Sequence, residues 1–196
     1  MDFPKLNLPP VALRTRMGDR GRTMVWDVLR GRYVTLTAEE WVRQHFVHYL
    51  LEACGYPAGL LANEMAVEVG GVRRRCDTVL FAREAARPCL IVEYKAPQVP
   101  ITQEVFNQIQ SYNSVLKVDY LIVSNGLQHY CCRMDYAAQQ VTFLRGIPRF
   151  EELISALDRG EGGHSGVETW VERETLWRCA AGTMEESCVD SRFLGR

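Results

Sequence analysis

Nowhere does this chain carry the Gly-x-x-x-x-Gly-Lys pattern that cradles nucleotide phosphates, so nucleotide-driven translocation by the chain itself is excluded. No apolar run approaches the roughly 20 residues that a membrane-crossing helix needs. The start, Met1-Asp2-Phe3-Pro4-Lys5, lacks the charged and apolar regions of a secretion signal, and the expectation is a cytoplasmic protein with no membrane contact. The seven cysteines (Cys54, Cys76, Cys89, Cys131, Cys132, Cys179 and Cys188) are odd in number and hold no C-x-x-C pair. That argues against a zinc or dithiol site and for reduced, buried thiols. His45, His48, His129 and His164 show no metal-ligand spacing, and no serine or cysteine has a base close by in sequence. No internal repeat is visible.

A large charge excess is also missing, since the formal net charge is −1. A bulk electrostatic grip on nucleic acid is therefore not expected, but the charge is unevenly spread. Residues 160–196 hold seven acidic and four basic side chains, which leaves residues 1–159 at +2. Residues 1–32 carry seven Lys/Arg against three Asp, and Arg73-Arg74-Arg75 stand just before Asp77. These arginines are read either as a solvated face or as a local nucleic-acid contact.

With 196 residues, 47% of them hydrophobic, the chain has material for one good core. Residues 1–22, rich in Pro, Arg and Gly, read as an extended arm. Met24-Val25-Trp26 and Arg32-Tyr33-Val34 read as short β or irregular segments. Thr37-Ala38-Glu39-Glu40 has the form of a capping box, and behind it Trp41, Val42, His45, Phe46, Tyr49, Leu50 and Ala53 fall at helical spacing. The spacing predicts a helix of about 17 residues. Glu64 to Val69, Gly70-Gly71 and Val72 to Phe81 predict a hairpin. The uniformly apolar run from Cys89 predicts a central strand, and Thr102 can cap a helix to about Lys117. Asp119 to Val123 reads as another buried strand, Gln128 to Arg133 with Gln140 to Leu144 as edge strands, and Phe150 to Asp158 as a closing helix. The order implies an α/β sheet of mixed direction in one domain over residues 23–159, with a C-terminal β extension and short helix. Residues 160–196 read as a tail of uncertain order.

Within this frame one constellation carries chemistry. Glu93 and Lys95 lie two apart in a strand and leave the same face. Asp77 opens a second β-rich run, from which its carboxylate can stand beside Glu93. Carboxylates on rigid strands hold Mg²⁺, which prefers oxygen ligands and keeps waters for a phosphate to replace. Such an ion neutralises charge during phosphodiester hydrolysis, and Lys95 can orient the attacking water or stabilise charge on phosphorus. The alternative for Lys95 is a plain ion pair with Glu93. Gln108 and Tyr112 share a helix face and offer two neutral hydrogen-bonding groups toward the sheet. Glu40 is explained equally by the capping box or by the site, Gln44 by site or solvent, and Arg43 by a helix ion pair or a phosphate. Glu64 and Glu68 alternate on one strand face, and both are expected to be solvent-exposed.

From about Trp26 to Arg145 the chain resembles the PD-(D/E)xK nuclease superfamily, and within it the N-terminal nuclease domain of type I restriction enzyme R subunits. The likeness rests on Leu36-Thr37-Ala38-Glu39-Glu40-Trp41-Val42-Arg43-Gln44, Arg75-Cys76-Asp77, Glu93-Tyr94-Lys95, Gln108-Ile109-Gln110-Ser111-Tyr112 and Ser124-Asn125-Gly126. It implies a restriction-endonuclease-like αβββαβ core and a DNA nuclease of restriction or repair type. In that core Asp77 and Glu93 would bind Mg²⁺, with Mn²⁺ as a substitute, Glu40 would assist as the helix glutamate, and Lys95 would be the catalytic lysine. Gln108 and Tyr112 match the extra motif of members that cut DNA within helicase-nuclease machines, while Arg75, Arg43 and Gln44 are supporting or DNA-binding candidates. Cys76 stands where a proline often precedes the motif aspartate. Helicase or restriction–modification subunits are the implied partners. The alternative is a catalytically silent nucleic-acid-binding or protein-interaction module that retains the fold.

Overall fold

Two hydrophobic layers separated by one sheet organise the chain, and the alternation of side chains along the central strands assigns residues to one layer or the other. The computed structural model describes residues 3–83, 87–138 and 140–159 and the backbone of Thr169–Val171, apart from the side chains of Arg20, Gln103 and Ser111. In chain order the strands are β1 Thr15–Met17, β2 Thr23–Asp27, β3 Arg32–Thr35, β4 Leu61–Val69, β5 Val72–Phe81, β6 Pro88–Tyr94, β7 Tyr120–Ser124, β8 His129–Asp135, β9 Gln140–Leu144 and β10 Thr169–Val171. The helices are α1 Ala38–His48, α2 Gln103–Leu116 and α3 Phe150–Asp158. The central sheet has the order β10-β9-β8-β7-β6-β5-β4. Among the described strands only β6 and β7 pair in parallel, with Glu93 beside Val123, and α2 supplies the crossover between them. From α1 onward the order is the αβββαβ core expected from the sequence, and the sheet is mixed.

On one side of the sheet α1 and α3 cover Leu90, Val92, Tyr94 and Ile122. On the other side, α2 presents Val105, Ile109 and Tyr112 to Ile91, Leu121 and Val123. The apolar stripe predicted for α2 is therefore the face that it buries. Thr37 caps α1 by accepting the backbone N–H of Glu40 at 3.1 Å. The helix widens to a π-type turn over Tyr49–Ala53 before it stops at Gly55. Gly70 and Gly71 both take positive φ, which is what a two-residue hairpin turn demands. The five cysteines within the described residues are free and buried, while Cys179 and Cys188 lie outside them.

Two features depart from the sequence reading. The arm 1–22 is not detached: Thr15–Met17 pairs with Thr23–Val25 in a separate three-stranded sheet, and Leu6 and Leu8 are buried in the core. The Asn7 backbone donates to the Gly126 carbonyl and its own carbonyl meets the His129 ring Nε2 at 2.9 Å, so these bonds and the burial of Leu6 and Leu8 fix a segment whose composition reads as an extended arm. Strand β8 is interior rather than an edge, because β9 pairs along it. Of the tail 160–196 only Thr169–Val171 is described, pairing antiparallel with β9; the remainder lies outside the described residues. No helix among the described residues is long and apolar enough to cross a membrane.

Candidate active site

Asp77 sits on β5, Glu93 near the end of β6, and Lys95 just past that end. The parallel pairing of β6 with β7 continues one step beyond the strand, where the Lys95 backbone N–H donates to Ser124 at 2.9 Å. This fixes the lysine's direction before its side chain makes any contact. Lys95 Nζ then donates to Glu93 Oε1 at 2.9 Å and to Gln108 Oε1 at 3.1 Å. Gln108 Nε2 donates to the same Glu93 oxygen and to the Tyr112 hydroxyl at 3.1 Å. Four residues that the sequence places on two elements thus form one hydrogen-bonded group between β6 and α2.

Asp77 joins from the next strand. Its Oδ2 accepts the Tyr94 backbone N–H at 2.8 Å, so the main chain that carries Glu93 also anchors the aspartate. Its Oδ1 accepts Arg43 Nη2 at 2.8 Å, and the same nitrogen donates to Glu39 at 3.3 Å. Arg43 is buried, and its guanidinium also pairs with Glu40 and, at 3.2 Å, with Glu64. One arginine from α1 therefore reaches four carboxylates.

The electrostatics follow from this crowding. Burial and the neighbouring Asp77 charge raise the Glu93 carboxyl above its ordinary range. Burial raises Asp77 too, against the pull of Arg43 and the Tyr94 N–H. Glu39 is raised by burial and by Asp77. Burial works to lower Lys95, but its hydrogen bond and attraction to Glu93, with Asp77 and Glu39 behind, more than offset this. Lys95 is held as a cation, which suits it to stabilising anionic charge rather than to accepting a proton.

Glu93 Oε2 is buried and has no hydrogen-bond partner. An orphaned carboxylate oxygen beside a second carboxylate is a costly arrangement for the protein alone and a suitable one for a hard cation. Among the described residues no group of three His, Cys, Asp or Glu side chains is arranged to hold a metal. Two carboxylates suffice for Mg²⁺, which keeps several waters, so the residues present fit that ion.

The other candidates fall out as follows. Glu40 is not brought to the pair: both its oxygens are taken, by Arg30 at 3.0 and 3.1 Å, by Gln44 at 2.7 Å and by Arg43. Nor does its side chain complete the capping box, since only the Thr37 half of that motif forms. The α1 carboxylate that faces Asp77 is Glu39, one residue earlier and about 100° round the helix. Gln44 is buried on Glu40, away from the pair. Arg75 is exposed and bonds Glu64. Glu68 is exposed as expected, but Glu64 is partly buried between Arg43 and Arg75. Reasoning from the sequence missed Glu39, Glu64 and Arg30; the adjacency Glu39-Glu40 was the available signal for the first.

A family model described as "Type I restriction enzyme R protein N terminus" matches residues 38–148. No curated protein matches the chain. Among solved structures, the type IIG restriction endonuclease BpuSI is similar at 21% sequence identity and a TM-score of 0.33. The match covers 62% of this chain and 15% of that one.

Proposed function

The chain belongs to the family of type I restriction enzyme R protein N termini, and from that premise we propose that it is a metal-dependent deoxyribonuclease. The observation that carries the proposal is the convergence of Asp77, Glu93 and Lys95, with one Glu93 oxygen buried and unpartnered. Asp77 and Glu93 would hold Mg²⁺, or Mn²⁺ in its place. Bound there, the ion supplies charge neutralisation at the phosphate and helps to generate hydroxide at neutral pH. The chain's own residues do the remaining work. Lys95, kept cationic, stabilises charge on the phosphorus oxygens and orients the attacking water. Gln108 fixes the lysine and Glu93 through its two amide atoms, and its Nε2 also donates to the Tyr112 hydroxyl. Arg43 holds Asp77 in place and keeps Glu39 at the rim. DNA is the substrate, and helicase or restriction–modification subunits are the partners that such a module would work with.

The closed contact of Lys95 with Glu93 and Gln108 favours a second reading, a nucleic-acid-binding module that keeps the fold without turnover. Incubating the purified chain with supercoiled and linear DNA across a Mg²⁺ and Mn²⁺ series separates the two. The proposal expects metal-dependent cleavage that Asp77→Ala and Lys95→Ala abolish while far-UV circular dichroism stays unchanged. Equal cleavage by parent and variants would end it, and DNA binding without cleavage at any metal would establish the second reading.

A further inference from the structure

Linked to Asp77 through Glu64 and Arg43 lies an open cleft of about 570 Å³ lined by Arg32, Glu64, Ala66, Arg73, Arg74 and Arg75. We infer that this cleft is a track for the phosphodiester backbone of DNA, leading the strand to Asp77 and Glu93; the inference rests on the nuclease reading above. Its residues come from two places that only the tertiary fold joins, the start of β3 and the tip of the β4–β5 hairpin.

The way the hairpin is built explains why Arg73 and Arg75 face this side, while Arg74, opposite Val67, leaves the other face and lines the cleft only at its edge. Leu61 and Leu80 pack in the α1 layer, and by strand alternation Met65, Val67 and Cys76 should follow them. They pack instead in the α2 layer. The switch falls at Glu64, a non-glycine residue at φ 60°, where the ladder skips the Glu64–Asp77 pair. Left-handed backbone at such a residue costs on the order of 1–3 kcal/mol and persists where the surroundings impose it. Here the switch sends the apolar side of the hairpin to α2 and leaves Arg73 and Arg75, opposite Glu68 and Ala66, on the other side.

Charge then selects the occupant. Arg32, Arg73 and Arg74 are exposed and form no ion pair with any described residue, while Arg75 is matched by Glu64. Two unpaired guanidiniums at one cleft, Arg32 and Arg73, with Arg74 at its edge, repel each other unless a polyanion lies between them, and guanidinium forks match phosphate oxygens. Apart from Ala66 the cleft has no small apolar lining, so an apolar peptide would find little to bury. Glu64 joins the cleft to the site, because its other oxygen pairs with Arg43, which bonds Asp77. Arg14 and Arg16 differ in kind: they lie over the Trp26 and Tyr33 rings, where their own chain already occupies them.

The test is fluorescence anisotropy with a labelled DNA duplex, using Lys95→Ala protein in Mg²⁺ so that binding is read without turnover. Replacing Arg32, Arg73 and Arg74 together by Ala is expected to weaken binding at least tenfold at 50 mM salt. It should also flatten log affinity against log salt by about 2 to 3, close to one for each phosphate no longer held. The triple Lys variant should restore most of the slope, since a point charge still meets a phosphate. Unchanged affinity and slope in the Ala variant, or no binding by the Lys95→Ala protein at 50 mM salt, would overturn the inference. The two readings fail separately: cleavage by the parent with unaltered binding by the triple variant sinks the track alone. Binding that depends on the three arginines, without cleavage by the parent, sinks the nuclease reading and leaves the track.

Discussion

Replacing Glu93 by Gln should make the metal-free protein more stable. The carboxyl is buried beside Asp77, and its pKa is raised above the ordinary value of 4.5. A carboxyl whose folded pKa lies above its unfolded one adds stability at low pH, and that stability is lost as pH rises through the folded value. The ion-free site is therefore a liability at neutral pH. Every tenfold change in the carboxyl's proton affinity on folding corresponds to about 1.4 kcal/mol. Gln removes the charge but keeps an acceptor for Lys95 and Gln108, although its amide N–H₂ then occupies the place of the orphaned oxygen. Leaving that group short of an acceptor costs roughly 1 kcal/mol or more, so a net gain of about 1–2 kcal/mol is expected. Urea unfolding of both proteins in chelator at a series of pH values measures it. The difference should be small near pH 4.5 and grow toward pH 8, and Mg²⁺ should reverse the ranking by stabilising only the parent. A Glu93→Gln protein no more stable than the parent at pH 8 in chelator, or a gap that ignores pH, would refute the reasoning.

Gln108→Leu should lower kcat for DNA cleavage by about 10- to 100-fold with little change in KM, because it removes the hydrogen bonds that fix both Lys95 and the Glu93 carboxylate while leaving the two carboxylates in place. Glu39→Gln should weaken Mg²⁺ about three- to tenfold in a calorimetric titration, whereas Glu40→Gln should leave Mg²⁺ affinity near the parent's and lower stability instead. Arg43→Met should cost about 3–5 kcal/mol in denaturant unfolding at pH 7, since it strands partly buried Asp77 without its arginine and leaves buried Glu40 with the Arg30 cation alone. Gly126→Ala should cost about 1–3 kcal/mol: its φ is +82°, and an added Cβ would lie 2.8 Å from Leu6 and 3.1 Å from Val42. The readout is a lowered urea midpoint.

Local rules carried most of the fold. The hairpin was legible because Gly70-Gly71 separates two β-rich runs, and α2 because Val105, Ile109 and Tyr112 recur at helical spacing. The N-terminal arm was not, because nothing local shows that Leu6 and Leu8 find a core on residues more than a hundred positions away. At the site, Glu93, Lys95, Gln108 and Tyr112 were readable from spacing within two elements. Glu40 was noticed for its place in the Thr37 pattern, and the structure pairs it with Arg30, Arg43 and Gln44. It sits in the capping position, but adjacent glutamates on a helix point in different directions, and the positions of Arg30 and Arg43 decide which one turns to the sheet.

What the sequence determined by itself is periodic: which residues share a strand or helix face, where turns fall, and that two carboxylates and a lysine stand on neighbouring strands. Those properties depend on neighbours within a few residues, so they survive without the fold. The tertiary structure alone decided the partners. It brought Arg43 from α1 to Asp77 on β5, left one Glu93 oxygen without a partner, and turned the hairpin at Glu64 so that Arg73 faces Arg32 across a cleft. Charge pairing and desolvation act through space between elements distant in the chain, and no sequence period encodes them.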